Sequence, residues 1–369
     1  MTAPSGPLAG VRVLEMAAMG PVPFCGLVLS DLGADVVRVD RPSRPAPDDP
    51  MSFTEVLGRG RRSIVADLKT PEGVATALDL ADRANVLLEG LLPGTMERLG
   101  LGPRVCLARN PGLVYARMTG YGQDGPLSTE PGHDINYLAL SGALHAVGGP
   151  DGGPVPPLNL VGDFGGGGML LTVGVLAALH EASRSGTGQV VDVAMTDGAT
   201  LLMASVFELF GRGVWEDRRG ANIFDSGAHF YTTYEAADGA WLAVGAVEPD
   251  FYAALLAGLG IDPAQAPQWD RTRWPQLRRT LAAVFATRTR EQWLADFRGT
   301  RACVTPVLSL AETATHPYTV SRRMFQQVDG IRQPAVAPRF ARTPGSTRQG
   351  APAPGEHTDQ ILEDWIGQP

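Results

Sequence analysis

Paired cysteines, an excess of basic residues and a long apolar run are all missing from this 369-residue sequence. Its three cysteines, Cys25, Cys106 and Cys303, lie far apart, so they predict neither a disulfide framework nor a metal-binding knuckle, and they suit a reducing compartment. The formal net charge of -8 argues against a nucleic-acid partner. We therefore expect no metal site and no nucleic-acid binding.

The chain ends and the most apolar segment bear on localisation. Residues 1–10 lack a basic segment followed by an apolar core, and the last three residues are not a peroxisomal signal. The most apolar stretch, residues 169–179, is shorter than a bilayer span and contains Thr172 and Gly174, which predicts a buried helix. The expectation is a cytoplasmic protein without a membrane partner.

Strands and helices alternate through the first half of the chain. Strands at 11–16 and 35–40 flank a helix at 24–32; a helix at 70–83, strands at 85–88 and 113–117, an apolar helix at 167–182 and a strand at 189–194 follow. This alternation predicts an α/β fold with a large Rossmann-like domain and a mainly parallel sheet. After residue 230, aromatic strands followed by helices predict a smaller α+β domain.

The length exceeds what one hydrophobic core usually supports, so we expect two domains. The large domain is predicted to span residues 1–198 and to be completed by 332–369. A helical linker at 199–228, a small domain at 229–316 and a return linker at 317–331 account for the rest. Hydrophobic residues make up 44% and charged residues 19%, which is compatible with a subunit-facing surface.

The early β-α-β unit does not carry a dinucleotide fingerprint. A nicotinamide enzyme needs G-x-G-x-x-G between the first strand and helix, whereas this turn reads Ala-Ala-Met-Gly-Pro-Val-Pro at residues 17–23. Arg38, Arg41, Arg59 and Arg61 cluster locally in an acidic chain, which fits a phosphate ligand. The alternative for the run from Arg59 to Arg62 is a solvated basic turn.

Two short segments combine titratable groups with flexible backbone. His133 lies between Gly132 and Asp134, and Asp163 precedes four consecutive glycines that begin at Gly165. Asp163 alone is also explained as a helix N-cap, and a lone histidine is often structural. Glycine is costly at a helix start unless a ligand or another backbone comes close. We therefore interpret the two segments as an acid/base site.

These segments and several others resemble the family III CoA transferases, and more closely their α-methylacyl-CoA racemase branch. The similar stretches cover nearly the whole chain: residues 31–42, 59–63, 115–123, 132–137, 159–168, 244–249, 302–307 and 355–358. The resemblance implies that His133 and Asp163 are the acid/base pair and that Glu248 supports them. It also implies an interlocked homodimer, with the site between the large domain of one subunit and the small domain of the other.

The resemblance further implies that coenzyme A is part of the substrate and that no separate cofactor is needed. Its implied contacts are Arg38, Arg41, Arg59, Arg61, Ala66, Asp67, Leu68, Gly132, Asp134, Asn136 and Tyr137. One departure concerns Leu92, which occupies a position where many relatives have arginine. We expect Arg59, Arg61 or Arg98 to compensate for that missing charge.

The implied reaction inverts the α-carbon of a 2-methyl-branched acyl-CoA thioester. One group removes the α-proton to give an enolate, and the other returns a proton to the opposite face. The backbone amides of Gly165, Gly166 and Gly167 are expected to stabilise the enolate oxygen. The first alternative is CoA transfer with Asp163 as the covalent nucleophile. The second is a non-catalytic acyl-CoA binding protein.

Overall fold

The computed structural model describes residues 6–42, 54–150 and 152–367. It divides the chain into two compact units. Unit 1 comprises Met1–Ser141, Pro157–Met203 and Met324–Pro369, and unit 2 comprises Gly142–Pro156 and Ala204–Arg323. The first five and last two residues, which entered the expectations about signals at the chain ends, lie outside the described residues.

Unit 1 is built on a six-stranded parallel sheet, which confirms the predicted α/β fold class. The strands are β1 (Arg12–Met16), β2 (Asp35–Asp40), β3 (Arg62–Val65), β4 (Val86–Glu89), β5 (Val114–Thr119) and β6 (Val190–Ala194). Their order is β3-β2-β1-β4-β5-β6, and every neighbouring pair is parallel. The chain reverses its direction of winding between β1 and β4, where open α/β sheets bind ligands.

The helices of unit 1 join these strands. They are α1 (Pro21–Asp31), α2 (Thr54–Leu57), α3 (Pro71–Ala81), α4 (Thr95–Arg98), α5 (Pro103–Arg109), α6 (Asp134–Ser141), α8 (Leu170–Ser185), α9 (Met195–Leu202) and α16 (Thr358–Ile361), with π-helices at Leu160–Met169 and Leu362–Ile366. Thr70 caps α3, since its Oγ1 accepts from the Gly73 amide at 3.1 Å. A hairpin of β10 (Phe325–Val328) and β11 (Ile331–Pro334) also belongs to this unit.

Unit 2 has a three-stranded antiparallel sheet with its own helices. Its strands are β7 (Tyr231–Glu235), β8 (Trp241–Gly245) and β9 (Val304–Pro306). Its α-helices are α7 (Ala143–Ala146), α10 (Ala204–Gly211), α11 (Pro249–Leu259), α12 (Trp274–Phe285), α13 (Arg290–Phe297), α14 (Leu310–Thr313) and α15 (Pro317–Ser321), with 3-10 turns at Pro263–Gln265 and Arg271–Arg273. Thr289 and Gln292 form a capping box at the start of α13.

Both faces of the large sheet are covered by apolar side chains. Successive side chains of β1 point to opposite faces of the sheet, so Leu14 packs in one core cluster and Val13 in the other. Ile361 and Trp365 near the C-terminus are buried on the Leu14 side. These two layers hold the carboxyl ends of the strands in fixed positions.

Several sequence expectations about local structure are wrong. The alternative of a solvated basic turn for Arg59 to Arg62 is wrong, because the run continues into β3, where Arg62 pairs with Asp35 on the adjacent strand. The sequence also predicts a helix over residues 200–209, but the structure has two helices there, which are interrupted at Met203. The sequence further predicts Thr358 as the cap of a short terminal helix; Thr358 is instead the first residue of that helix, and its hydroxyl donates to the Gly355 carbonyl.

The apolar helix also starts earlier than expected. A continuous helix runs over Leu160–Ser185, 26 residues, and by length and hydropathy it is able to cross a membrane. The expectation that the apolar helix is shorter than a bilayer span is therefore wrong. Its residues Leu171 and Val175 are fully buried in the core of unit 1, and buried core helices meet the same criteria. The helix is thus only weak evidence for membrane contact.

Candidate active site

His133 and Asp163 lie close together in unit 1. His133 is exposed immediately before α6, where its carbonyl accepts from the Asn136 amide at 2.8 Å. Asp163 lies in the first turn of the π-helix Leu160–Met169. The His133 ring is near enough that its charge lowers the pKa of the Asp163 carboxyl. The structure therefore brings the predicted acid/base pair together.

The surroundings of Asp163 favour its protonated form. Burial is the largest influence and raises the pKa of the carboxyl; Asn159 and His133 act against it, while Asp134 adds to it. Asn159 Nδ2 donates to Asp163 Oδ2 at 3.3 Å. On another side the carboxylate faces Gly20, since a Cβ placed there would lie 3.4 Å from Asp163 Oδ2.

The position of Gly20 locates the site within the fold. Gly20 is the N-cap of α1 and follows β1 at the carboxyl edge of the sheet. Gly90 directly follows β4, and a Cβ there would lie 2.7 Å from Val22 in the first turn of α1. The candidate site thus lies at the switch point between β1 and β4, where this class of fold binds its ligands.

The side chain of Asp134 joins the two segments. Asp134 Oδ1 accepts from the Asp163 amide at 2.7 Å, and the Gly162 amide donates to the same carboxylate. Asp134 is only 8% exposed. Burial raises the pKa of its carboxyl, and the two amide hydrogen bonds act in the opposite direction. The Asp134 carboxylate therefore holds the segment that carries Asp163 against the start of α6.

The glycine run has a packing role, which corrects the expected enolate contact. Gly165, Gly166 and Gly167 are interior residues of a π-helix, beside the carbonyls of Leu160, Val161 and Gly162, five positions earlier. In a π-helix those carbonyls accept the glycine amides, so the amides are already used. A Cβ on Gly166 would lie 2.6 Å from the Ala199 amide of α9. The glycines permit this close packing.

The residues around His133 hold its loop in place. Asn136 Oδ1 accepts from the His133 amide at 3.1 Å. The hydroxyl of Tyr137 donates to the Gly132 carbonyl, and the Tyr137 ring contacts Tyr121 edge-on. Tyr137 is 7% exposed, and burial raises the pKa of its phenol to about 12. Gly132, Asn136 and Tyr137 therefore shape the loop, whatever contact they make with a ligand.

The predicted contacts after β2 and β3 lie at one edge of the sheet. Arg38 Nε donates to Asp40 Oδ1 at 2.9 Å, and Arg41, which follows β2, is exposed. Ala66, Asp67 and Leu68 follow β3, whose parallel partner is β2, so both segments leave the sheet at its carboxyl edge. Among the described residues at this edge, Arg41 after β2 and Lys69 after β3 are exposed cations.

Arg59 and Arg61 do not offer free charge to a ligand, which corrects their predicted role. The Arg59 guanidinium pairs with Asp31 at 2.6 Å and also donates to Gln333. The Arg61 guanidinium pairs with Glu15 at 3.0 Å. The exposed fractions are 3% for Arg59 and 0% for Arg61, so neither reaches a solvent-borne phosphate. Their charge is compensated inside the fold.

Arg98 remains as the candidate to compensate for Leu92. Leu92 is 60% exposed after β4, and Arg98 ends α4 a few residues later. The Arg98 guanidinium folds back over Gly94, where a Cβ would be 3.4 Å from its Nη1. Arg98 and Lys69 both line a cavity of about 470 Å³ whose apolar wall includes Leu68 and Leu99. Two cations therefore flank one cavity beside the segment after β3.

Glu248 belongs to unit 2. It is exposed at the N-cap position of α11, and its own side chain makes no capping hydrogen bond. Its charge, after burial, helps to raise the pKa of the Cys303 thiol, so Glu248 and Cys303 are neighbours. The carboxylate is thus available to a group outside unit 2.

The fold and the site define an α/β protein with a histidine and a partly buried carboxyl close together at the sheet switch point. The CoA-transferase family III model matches residues 8–358, and the chain belongs to this family. Alpha-methylacyl-CoA racemase of Mus musculus is 46% identical over 97% of this chain and 93% of that protein. Its Homo sapiens counterpart is 44% identical over the same shares. A CAIB/BAIF family protein from Brucella suis matches with a TM-score of 0.84 at 26% identity, covering 98% of this chain and 100% of that one.

The sequence predicts the pair of His133 and Asp163, but it does not predict the groups that hold the pair. The family resemblance implies Asp134 as a ligand contact, and no sequence pattern indicates a role for Gly20 or for the side-chain amide of Asn159. A distant hydrogen bond such as that from the Asp163 amide to Asp134 leaves no local pattern in the sequence. The one available signal was Gly162, because a Cβ there would lie 2.3 Å from Asp134 Oδ1.

Proposed function

We propose that this protein is an isomerase that inverts the α-carbon of 2-methyl-branched acyl-CoA thioesters. The observation that carries the proposal is the pairing of His133 with a carboxyl, Asp163, whose pKa is raised by burial. The high identity to racemases over nearly the full chain supports the substrate class.

Proton transfer uses the two groups in turn. A thioester acidifies its α-carbon, so His133 removes the proton from one configuration and Asp163 delivers a proton from the other side. The roles reverse for the opposite configuration. An elevated pKa lets Asp163 hold the proton that it must deliver, and no separate cofactor takes part.

The enolate oxygen needs donors other than the glycine amides. α6 begins directly after His133. The Asn136 amide donates to the His133 carbonyl, whereas the amides of Asp134 and Ile135, at the first two positions of the helix, have no acceptor within the helix. These amides place hydrogen-bond donors beside the base. Such donors stabilise developing negative charge at little reorganisation cost.

The CoA moiety is bound at the carboxyl edge of the sheet. We assign its phosphates to Arg41, Lys69 and Arg98, since Arg59 and Arg61 are consumed by buried carboxylates. Arg98 takes the place of the arginine that Leu92 replaces. The apolar wall of the adjacent cavity suits the adenine ring.

A homodimer completes the site in this proposal, with Glu248 of the partner subunit facing His133. Exposed apolar side chains support a subunit contact: Leu201 at 62% and Leu202 at 56% on α9, and Phe207 at 48% and Phe210 at 52% on α10. We propose that the dimer acts in the cytoplasm.

Deuterium uptake tests this function. The wild-type enzyme, incubated with a 2-methylacyl-CoA in heavy water, is expected to incorporate α-deuterium and scramble the configuration without an acceptor acid. His133→Ala and Asp163→Ala should each lower racemisation by about a hundredfold or more, as loss of an acid/base group does. His180→Ala, at an exposed histidine of α8, is the matched control. CoA transfer to an added acid, without α-exchange, would favour the transferase with Asp163 as nucleophile instead.

A further inference from the structure

Asp134 connects two chain segments that are distant in sequence. Its backbone follows His133 directly, and its Oδ1 accepts from the Asp163 amide, 29 residues further along, at 2.7 Å. The Gly162 amide donates to the same carboxylate. One side chain therefore links the segment that carries the base to the segment that carries the acid.

Asp134 is buried, so its carboxylate depends on these hydrogen bonds. A carboxylate that is 8% exposed is costly unless donors satisfy it. Here the donors are amides at the start of the π-helix Leu160–Met169, which lack partners within their own helix. Asp134, on α6, thus caps the π-helix: its carboxylate accepts the free amides of the π-helix, and these amides offset the cost of burying the carboxylate.

The contact leaves no room for a side chain at position 162. A Cβ on Gly162 would lie 2.3 Å from Asp134 Oδ1 and 2.9 Å from its carboxyl carbon. The glycine therefore lets α6 and the π-helix approach until the carboxylate reaches the backbone. The same approach brings the His133 ring near Asp163.

We propose that Asp134 is a positioning residue that sets the separation and relative orientation of His133 and Asp163. This inference rests on the proposed function and reassigns Asp134, which the family resemblance implies as a CoA contact. Because the Asp134 carboxylate accepts from the Asp163 amide and the Asp134 backbone directly follows His133, a change at Asp134 moves the acid relative to the base.

Asp134 has a second, electrostatic effect on its neighbour. Its negative charge adds to burial in raising the pKa of Asp163, whereas His133 lowers it. Of the other titratable groups on the elements that pack here, Tyr137 of α6 has a raised pKa, Cys25 and Asp31 of α1 are buried, and Asp197 of α9 is exposed. Removing the Asp134 charge should lower the pKa of Asp163.

Two variants separate geometry from charge. Asp134→Asn keeps the shape and one acceptor oxygen, and Asp134→Ala removes both. A displacement of about 1 Å costs on the order of a hundredfold in rate, so we expect Asp134→Ala to lose about that in kcat. KM for the acyl-CoA should stay within about twofold. Asp134→Asn should recover at least tenfold relative to Asp134→Ala, with the Asp163 limb of its pH–rate profile moved to lower pH.

Two kinetic results would overturn the inference. A raised KM with unchanged kcat in both variants would make Asp134 a ligand contact, because loss of uniform binding has that signature. Equal kcat loss in Asp134→Asn and Asp134→Ala, with no change in the pH profile, would also contradict a positioning role.

Amide hydrogen exchange tests the link without any activity. In Asp134→Ala the Gly162 and Asp163 amides should exchange at least tenfold faster than in the wild type, while the Tyr115 amide of β5 stays protected as a fold control. Unchanged exchange at both amides overturns the inference even if the enzyme racemises. Conversely, a wild-type protein that shows the expected exchange but no α-deuterium uptake refutes the proposed function and leaves the structural link standing. If Asp134→Ala does not fold, the same comparison is made with Asp134→Asn.

Discussion

Two pairs of basic side chains in unit 1 differ in their surroundings. Arg59 and Arg61 lie inside the fold, where Asp31 and Glu15 neutralise them. His133 and Arg98 are exposed near the carboxyl edge of the sheet. A cluster of charge in the sequence therefore does not identify a ligand site, because the decisive factor is whether an opposite charge from another element is buried with it.

The largest expected effect is a loss of activity with little change in stability. His133→Ala should reduce racemisation by about a hundredfold or more, since general acid/base groups contribute that much. Its free energy of unfolding should change by less than about 0.5 kcal/mol, because the side chain is exposed. Steady-state kinetics and urea unfolding measure the two effects. A destabilisation as large as that of a core variant would contradict the difference drawn between the exposed His133 and the buried arginines.

The opposite effect, a loss of stability, is expected for the buried pair of Arg61 and Glu15. Arg61→Met leaves the Glu15 carboxylate buried without its partner, and Glu15 Oε1 already lacks a hydrogen-bond partner among the described residues. Removing one member of a buried ion pair costs about 3–5 kcal/mol. We expect urea unfolding to show that loss, and the double variant with Glu15→Gln to recover part of it. A loss of less than about 0.5 kcal/mol in Arg61→Met would contradict the buried pairing.

A buried histidine in unit 2 sharpens the comparison with the exposed His133. His229 is fully buried, its Nε2 lies 2.6 Å from the Tyr252 hydroxyl, and burial lowers its pKa from 6.5 to about 4. The unfolded chain therefore binds a proton below pH 6.5 that the folded chain takes up only near pH 4. Stability should fall by about 2 kcal/mol between pH 7 and pH 5. In His229→Leu this part of the pH dependence should vanish; an unchanged dependence would assign it to other groups.

The smallest expected effect concerns the exposed cation at α4. Arg98→Ala should raise KM for the acyl-CoA about fivefold and leave kcat unchanged, because an exposed charge contact contributes on the order of 1 kcal/mol. Added salt should weaken the difference. Arg104→Ala, at an exposed arginine of α5, is the control. Equal KM values for the two variants would remove Arg98 from the CoA contacts.

The parallel sheet was predictable because its strands are short apolar runs between clear turns, and burial on both faces selects such runs. β3 was not, since Arg62 and Ser63 look like part of a polar turn until Asp35 and Asp40 supply their partners. The π-helix was equally hidden. Its glycines suggested a ligand contact, whereas their cause is the close approach of α9.

Within the candidate site, the sequence predicts which residues form the acid/base pair, but it does not predict the contacts that hold them. The pair was predicted from residue types beside flexible backbone and from the family resemblance. The bond from the Asp163 amide to Asp134 spans 29 residues and depends on how α6 packs on the π-helix. Only the folded arrangement of these elements identifies it.

The central claim is that His133 and Asp163 act on opposite faces of one carbon. The direct test follows residual deuterium uptake in heavy water from each pure configuration of a 2-methylacyl-CoA, using His133→Ala and Asp163→Ala. We predict that each variant keeps residual exchange with one configuration only, and that the preferred configuration is opposite in the two variants. Residual exchange with the same configuration in both variants, or undiminished racemisation in either, would contradict the account.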